Sequence, residues 1–210
     1  MSGKQSTIYQ FHLTVAEISP LIWRRIWMSA DQTLADLHYT IQITLDWTDS
    51  YLSHFHLRGE NYCVYKPGGL MMKEADEFSI QELKLRPNEC FQYNYNMYVP
   101  WQVKIRYEKL VPLQTNLIYP YCVAGKQPGP LEICASSDAY QARRDYYNEV
   151  NLGLCVRDAY YERDDEYAME VFEEQLDQFQ FWLYDHHFDR KSVNESLETY
   201  SIDGEWWIEL

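Results

Sequence analysis

His54 and His56 are the two residues whose types and spacing best suit metal chemistry. They lie two positions apart in a strand-like segment, so both side chains would project from one face of a strand. A later segment supplies three further residues of metal-binding type, Cys122, Glu132 and Cys134. The two cysteines are twelve residues apart, which is not the short spacing of a zinc knuckle. One hypothesis is therefore a metal-dependent enzyme centred on the two histidines and the loop 119–134.

Other catalytic signatures are missing from the sequence. It has no G-x-S-x-G elbow, no H-E-x-x-H helix and no glycine-rich loop that would cradle phosphates. The run Asp185-His186-His187 follows the last apolar position of a long predicted helix, where such residues commonly cap the helix or face solvent. We therefore predict no cofactor, although the histidine and cysteine set would suit a divalent metal ion, and we favour a protein that is not an enzyme.

The negative charge is concentrated in the second half of the chain. The 210 residues include 18 basic and 32 acidic side chains, a formal net charge of −14. Residues 1–110 have 11 basic and 12 acidic side chains, whereas residues 111–210 have 7 and 20. Nucleic-acid binding draws on Lys and Arg that neutralise phosphates, so the second half is a poor surface for it. The alternative is a basic patch on the N-terminal sheet, with the candidates Arg24, Arg25, Lys104 and Arg106.

Arg24 and Arg25 follow Trp23 on a predicted strand, so their side chains should face opposite sides of the sheet. Acidic residues such as Asp46 and Asp49 lie on both sides of a tryptophan further along the chain. We favour a structural ion pair for one of these arginines over a contact with phosphate.

Aromatic residues occur as adjacent pairs in the acidic half. The chain has 19 Tyr and 7 Trp. Exposed Tyr and Trp are enriched at protein interfaces, so an acidic surface with such pairs is typical of a protein-binding face. We expect this half to contact a protein partner through Tyr146, Tyr147, Tyr160, Tyr161, Trp206 and Trp207.

The overall composition predicts a folded, cytoplasmic protein. The chain is 46% hydrophobic and 24% charged, which is globular rather than disordered. No segment approaches the ~20 consecutive apolar residues of a membrane span, and the first residues lack the apolar core of a signal peptide. Five scattered cysteines suit reduced thiols rather than a disulfide framework.

Hydrophobic periodicity predicts a sheet in residues 1–111 and helices in residues 138–210. Thr33 and Asp36 form a candidate capping box for an early helix that ends near Trp47. Period-two alternation and turn signals predict strands at 8–16, 21–28, 52–58, 61–65, 90–98 and 101–110.

The segment 112–137 contains four of the 8 prolines and has no clean period, which predicts a long irregular loop. An acidic helix is predicted over 162–184. The fold class is therefore α+β. We expect a single domain over 1–210, with an antiparallel or mixed sheet of about six strands, one early helix packed on it and a mostly helical acidic C-terminal part.

Several motifs occur in an order that resembles the plasmid pRiA4b ORF-3-like family. They are ISPLIWRR at 18–25, TLADLH at 33–38, LDWTDSYLSHF at 45–55, FQYNY at 91–95 and YPYCVAG at 119–125. The resemblance runs in order over about 8–198. It implies an α+β fold and an association with plasmids and transposable elements, where some members are labelled resolvase-like. It implies no defined activity, and the chain has no recombinase motif.

Two motifs depart from the family pattern. After Tyr95 the family continues Asp-Phe-Gly-Asp before a tryptophan, whereas this chain has NMYVP at 96–100. In 128–136 the family's Pro-Pro-Glu-Asp becomes PLEI, so that Glu132 is kept and its acidic neighbour is replaced by Ile133. The altered motifs mark a site that has been lost or changed.

Our preferred hypothesis is a non-enzymatic accessory protein of mobile-element type. It would act through protein–protein contacts made by its acidic, tyrosine-rich C-terminal half. The alternatives are the metal-dependent enzyme and a nucleic-acid-associated protein that uses the N-terminal sheet.

Overall fold

The protein is built around one mixed β-sheet. The structure, a computed structural model, describes residues 7–66, 72–134 and 136–203. In this part of the chain the sheet has eight strands, in the order β5-β4-β3-β6-β7-β1-β2-β8. Neighbouring strands are antiparallel, except for the parallel pair β4 and β5. The strands are β1 (Ile8–Val15), β2 (Trp23–Ser29), β3 (Ser53–Leu57), β4 (Glu60–Cys63), β5 (Lys73–Glu74), β6 (Cys90–Tyr95), β7 (Trp101–Val111) and β8 (Tyr121–Lys126).

One helix follows the second strand, and four helices follow the last. They are α1 (Leu34–Leu45), α2 (Ser137–Tyr146), α3 (Glu149–Tyr161), α4 (Glu166–Gln180) and α5 (Arg190–Asp203). A 3₁₀ turn covers Ala75–Glu77, and a π-helical turn continues α4 over Phe181–Asp185. The α+β class is confirmed. The strand count is larger than predicted, because β5 and β8 were not expected.

The segment 112–137 is not the irregular loop that its prolines predict. It contains β8, which lies at the edge of the sheet beside β2. The helix predicted over 162–184 begins at Glu166 instead, where Asp165 caps its first turn. A separate helix, α3, precedes it.

The capping box predicted for α1 is confirmed. The Thr33 hydroxyl accepts a hydrogen bond from Asp36 N at 3.1 Å, and the Asp36 carboxylate accepts one from Thr33 N at 2.6 Å. These contacts satisfy two of the backbone donors that a helix N-terminus leaves unpaired. The helix ends at Asp46, which adopts the left-handed conformation with φ 58°.

Alternation places one face of the sheet in the core. In β7 the side chains of Val103, Ile105 and Tyr107 are buried, whereas Lys104 between them is exposed. Helix α1 packs on this buried face, because its apolar side chains belong to the same core cluster as those of the strands. Each such side chain stabilises the fold by roughly 1.5–3 kcal/mol when fully buried. The core residues of α1 are Leu34, Leu37, Ile41, Ile43 and Leu45.

Arg24 is buried on the core side of β2 and has no carboxylate partner. Its Nε donates to Thr44 O at 2.7 Å, and its Nη1 donates to Trp23 O and Lys126 O at 2.9 and 3.1 Å. Thr44 O belongs to the last turn of α1, where unpaired carbonyls carry partial negative charge and favour a cation. The Phe188 ring lies 4.0 Å from the guanidinium carbon. Arg24 therefore connects β2, β8 and the end of α1.

The opposite face of the sheet is polar and is held together by Glu108. Its carboxylate accepts hydrogen bonds from Gln10 at 2.6 Å, from Arg25 at 2.9 Å and from Arg106 at 3.1 Å. Partial burial by itself raises the pKa of Glu108, but these three donors lower it to about 2. The carboxylate is therefore ionised at neutral pH and forms ion pairs with two arginines of this face.

The turn at Gly129 packs tightly against the end of α1. A Cβ atom placed on Gly129 would lie 1.8 Å from Leu45 O, which is a backbone atom that cannot move aside. Trp47 Nε1 donates to Pro130 O at 2.8 Å and fixes the next residue of the same loop. Only glycine therefore fits at position 129.

Replacing Gly129 with alanine should destabilise the protein by about 1–3 kcal/mol, because the added methyl group has no space. Gly153→Ala is the matched control. Gly153 lies within α3 with nothing within 4 Å of its added Cβ, so alanine should stabilise the helix by about 0.5–1 kcal/mol. Urea unfolding of the three proteins measures both changes. Equal stability of Gly129→Ala and the unmodified protein would contradict this packing.

Glu108→Gln should destabilise the protein by about 1 kcal/mol at pH 7, because the glutamine loses charge-assisted hydrogen bonds. The pKa of Glu108 is lowered in the folded state, so this contribution is complete above the usual pKa of about 4.5 and is lost as the pH falls towards 2. The difference in unfolding free energy should therefore narrow between pH 5 and pH 3.5. Glu60→Gln, which breaks an exposed pair with Lys73, should change the free energy by less than about 0.5 kcal/mol. A difference that does not depend on pH would refute the assignment.

Candidate protein-interaction surface

Helices α3 and α4 form a hairpin that is hardly part of the core. Asn148 caps α3 through Asn151 N, and Asp165 caps α4 through Tyr167 N and Ala168 N. The sequence therefore begins both helices with local hydrogen bonds. None of the 13 residues of α3 is buried, and Phe179 is the one buried residue of α4. The hairpin gains little of the apolar burial that normally stabilises helices in proteins.

Apolar side chains are left at the surface of this hairpin. Val150 in α3 is 72% exposed, Leu154 is 43% exposed, and Leu176 in α4 is 41% exposed. Single exposed apolar residues are ordinary, but here several lie along one hairpin.

The two helices enclose an open groove of about 1230 Å³. We call it the α3–α4 groove. Its apolar lining consists of Leu154, Ala159, Tyr161, Ala168, Val171 and Phe172. Its acidic lining consists of Asp158, Glu162, Asp164, Asp165 and Glu166. An apolar floor with carboxylates around it suits an amphipathic, positively charged occupant.

The charge of the hairpin is strongly one-sided. Residues 149–180 include 10 acidic and 2 basic side chains. Both basic residues, Arg157 and Arg163, lie in or just after α3, and Arg157 pairs with the neighbouring Asp158 at 2.6 Å. The surface therefore repels phosphate backbones and attracts cationic groups.

The tyrosines predicted to contact a partner occupy different environments. Tyr160 and Tyr161 are 64% and 75% exposed, and their rings contact each other at the end of α3. Tyr146 is 53% exposed and lines the α3–α4 groove. Tyr147 is half-buried, and its ring stacks on Trp182 at 5.8 Å. Tyr147 therefore anchors the base of the hairpin. Trp206 and Trp207 lie outside the described residues.

The metal-type residues are not brought together by the fold. His54 and His56 lie on the polar face of β3, as their spacing predicts, but each contacts an asparagine: His54 Nε2 lies 3.1 Å from Asn94 Nδ2, and His56 Nδ1 lies 2.7 Å from Asn61 Oδ1. Within the described ranges, no group of three or more His, Cys, Asp or Glu side chains is placed to hold a metal ion.

The two cysteines and Glu132 have separate surroundings. Cys122 is buried on β8, where burial raises the pKa of its thiol to about 11. Cys134 is buried, and burial likewise raises its pKa despite the nearby Arg143. Both thiols are therefore protonated at neutral pH, which is the weaker metal-binding form. Glu132 accepts hydrogen bonds from Tyr95 OH and from Thr48 Oγ1.

Three of the four basic candidates for nucleic-acid contact are already engaged. Arg24 is 1% exposed and bonds to backbone carbonyls, so it is not on the sheet surface as the nucleic-acid hypothesis required. The expectation that Arg24 and Arg25 face opposite sides of the sheet is met. Arg25 and Arg106 both pair with Glu108, and neither pairs with the aspartates that flank Trp47. Lys104 is exposed on the polar face.

Sequence reasoning missed a buried polar cluster between α1 and the sheet. His38 Nδ1 lies 2.8 Å from Tyr93 OH and 3.2 Å from Ser53 Oγ. On the other side of the ring, Nε2 lies 3.2 Å from Asp49 Oδ1 without hydrogen-bond geometry. Lys66 Nζ lies 2.7 Å from the same oxygen. The available signal was a histidine on the apolar stripe of α1, three and four positions from core residues.

The polar cluster around His38 has a structural role. Burial lowers the pKa of His38, and the nearby Asp49 only partly offsets this effect, so the ring is neutral at pH 7. Burial by itself raises the pKa of Asp49, but His38 and Lys66 together hold it below its usual value. An aspartate, a histidine and the Ser53 hydroxyl are thus adjacent, as in nucleophilic catalysis. His38 is completely buried, however, and Ser53 is 6% exposed, so a substrate cannot reach them.

No helix in the described ranges is long and apolar enough to cross a lipid bilayer.

Comparisons with known proteins agree with this architecture. A crystal structure of the protein of unknown function MM3350 from Methanosarcina mazei Go1 is similar to the chain, with a TM-score of 0.62 and 26% identity over 90% of this chain and 97% of that chain. No curated protein matches the chain significantly. The family model for the plasmid pRiA4b ORF-3-like protein matches residues 7–194. The chain therefore belongs to the plasmid pRiA4b ORF-3-like family.

Proposed function

We propose that the protein is a non-enzymatic accessory protein of mobile-element type that binds a protein partner in the α3–α4 groove. The observation that carries this proposal is a helix of 13 residues, α3, with no buried residue. Helices of this length are marginal in water by themselves, and in proteins they are usually stabilised by burying an apolar face. A partner that covers the apolar lining of the groove would supply that burial.

The shape of the groove favours a helical occupant. Two helices of 13 and 15 residues line it, and at 1.5 Å per residue each is roughly 20 Å long. Recognition of one amphipathic helix between two others is a recurring binding mode, in which apolar residues at helical spacing enter the groove. An amphipathic helix of about 15 residues would match the length of this one.

The charge of the groove favours a basic occupant. Carboxylates such as Asp158, Glu162 and Glu166 lie beside the apolar lining, and lysines or arginines on the edges of a bound helix would reach them. A second copy of this chain is a poor occupant, because it would bring another acidic surface. The accessory role on a mobile element is supported by the family to which the chain belongs, since its members occur on plasmids and in transposable elements.

A charge reversal inside the groove should abolish binding of a basic amphipathic helix without unfolding the protein. Asp158→Lys with Glu162→Lys places two lysines at the C-terminal end of α3, where cations are favoured. We expect at least a tenfold loss of affinity for a synthetic 18-residue Lys/Leu helix, measured by fluorescence anisotropy. Glu173→Lys with Glu174→Lys is the matched control, because it makes the same charge change on α4 outside the groove lining. An equal loss of affinity in the control variant would show that the peptide binds through general charge attraction and not in the groove.

A native pull-down from the source cell identifies the partner. The unmodified protein, the groove variant and the control variant are compared with and without nuclease treatment. We expect to recover a partner protein whose binding survives nuclease treatment. The control variant should retain this partner and the groove variant should lose it. The purified partner should bind the unmodified protein directly. Recovery of nucleic acid, with protein partners lost after nuclease, would overturn the proposal in favour of the polar face around Lys104.

A further inference from the structure

A second cavity, of about 370 Å³, shares no lining residue with the α3–α4 groove. It is formed by the C-terminal end of α1, the turn 128–129, the segment 185–189 and the first turns of α5. We call it the Arg24 cavity. Its volume is within the range of small-molecule sites.

Gly129 lines the Arg24 cavity, and Gly125 lies beside two of its lining residues. A Cβ atom on Gly125 would lie 2.8 Å from Arg24 Cδ and 2.7 Å from the Phe188 ring. A Cβ atom on Gly129 would collide with Leu45 O. A side chain at position 125 would therefore displace Arg24 or Phe188, which both line the cavity.

Arg24 has one donor group left for a ligand. Its Nε and Nη1 donate to three backbone carbonyls, and no described residue accepts from Nη2. Nη2 is not fully shielded from solvent, and Arg24 lines the cavity. Burial lowers the pKa of Arg24 to about 10, and no carboxylate is near enough to oppose this. A buried guanidinium with a free edge is a binding group for carboxylates.

Asp46 lines the same cavity and contradicts the local preferences of the chain. It is the left-handed C-terminal cap of α1, a position that favours glycine or asparagine. Its negative charge also lies at the negative end of the helix dipole. Its carboxylate has no hydrogen bond or ion pair in the described structure and does not pair with Arg24. Asp46 is exposed, so its carboxylate is free to accept a hydrogen bond from a cationic group in the cavity.

The rest of the lining includes apolar side chains, exposed carboxylates and two histidines, His186 and His187. Burial lowers the pKa of His186 to about 4, so this ring is neutral at pH 7. Ile43, Phe181, Phe188 and Val193 supply the apolar surface. Asp185 and Asp189 are exposed, and Asp189 accepts from Lys191 N at 2.8 Å as the cap of α5. Three carboxylates in one cavity disfavour a phosphate dianion and favour a ligand with a cationic group beside its anionic group.

We propose that the Arg24 cavity binds a free α-amino acid with an apolar side chain. The ligand carboxylate accepts from Arg24 Nη2, the ligand ammonium donates to Asp46, and the side chain contacts the apolar lining. Arg24 and Asp46 are fixed in one cavity without pairing, and a zwitterion bridges them. This inference is independent of the α3–α4 groove.

Isothermal titration of the full chain with four related probes tests the ligand class. We expect L-leucine or L-phenylalanine to bind saturably with one site per chain. L-leucinamide lacks the carboxylate and N-acetyl-L-leucine lacks the ammonium group, so both should bind at least tenfold more weakly. No saturable binding of either amino acid, equal binding of N-acetyl-L-leucine, or binding of inorganic phosphate in preference to the amino acids would each overturn the proposal.

The Asp46→Asn variant distinguishes a ligand-binding role from a structural role. Asparagine tolerates the left-handed conformation and removes the charge that opposes the helix dipole, so the unfolding free energy without ligand should be unchanged or higher. Affinity for leucine should fall at least tenfold. Asp76→Asn, an exposed residue outside the cavity, is the control for loss of one charge and should keep full affinity. Unchanged affinity in Asp46→Asn, or lower stability with no specific loss of binding, would refute the role of Asp46.

Discussion

The structure depends on one buried cation, Arg24, whose hydrogen bonds go to backbone carbonyls and not to a carboxylate. Taking a guanidinium out of water is costly, and a buried charge normally requires a carboxylate partner. Arg24 instead bonds to carbonyls of β2, β8 and the last turn of α1, where the helix dipole provides partial negative charge. Moving the helix end or β8 away from β2 would remove one of these hydrogen bonds from a buried charge. The relative positions of the helix end and the sheet edge, and with them the Arg24 cavity, follow from this constraint.

The edge of the sheet shows why the sequence predicted the centre of the fold better than its margins. Strands β1, β2 and β7 alternate because one face of each packs on the core and the other does not. Local capping fixes the start of α1. Strand β8 pairs with β2 on one side only, and on its other side Asn194 bonds both to Cys122 N at 2.7 Å and to Cys122 O at 3.0 Å. A side-chain amide from α5 thus takes the place of a neighbouring strand and covers the edge. That partner is 72 residues away, and no local period can reveal it.

The sequence predicted which residues make up the candidate surface, but it did not predict the shape of that surface. Charge counts and tyrosine pairs located the acidic half, and the exposed Tyr160 and Tyr161 lie where that reasoning placed them. The groove itself depends on the break between α3 and α4, which one capping aspartate, Asp165, determines. His54 and His56 show the same limit: period two correctly gives their common face, whereas long-range packing decides which side chains lie opposite them. The spacing of residues predicts which face of a strand their side chains occupy. Only the tertiary fold determines which other side chains lie near them.

Most of the negative charge lies on a part of the chain that contributes little to the core. The acidic side chains are concentrated on a hairpin with almost no buried residue, so their mutual repulsion falls on a part of the chain that the core does not need. On the sheet, charges of opposite sign are paired instead, because Glu108 forms ion pairs with Arg25 and Arg106. Asp46 is the exception, since it is an unpaired carboxylate at the end of the helix that the core does need. Asp46 is exposed, so water solvates its carboxylate in the free protein, and the ligand proposed for the Arg24 cavity would replace that water with a cationic group.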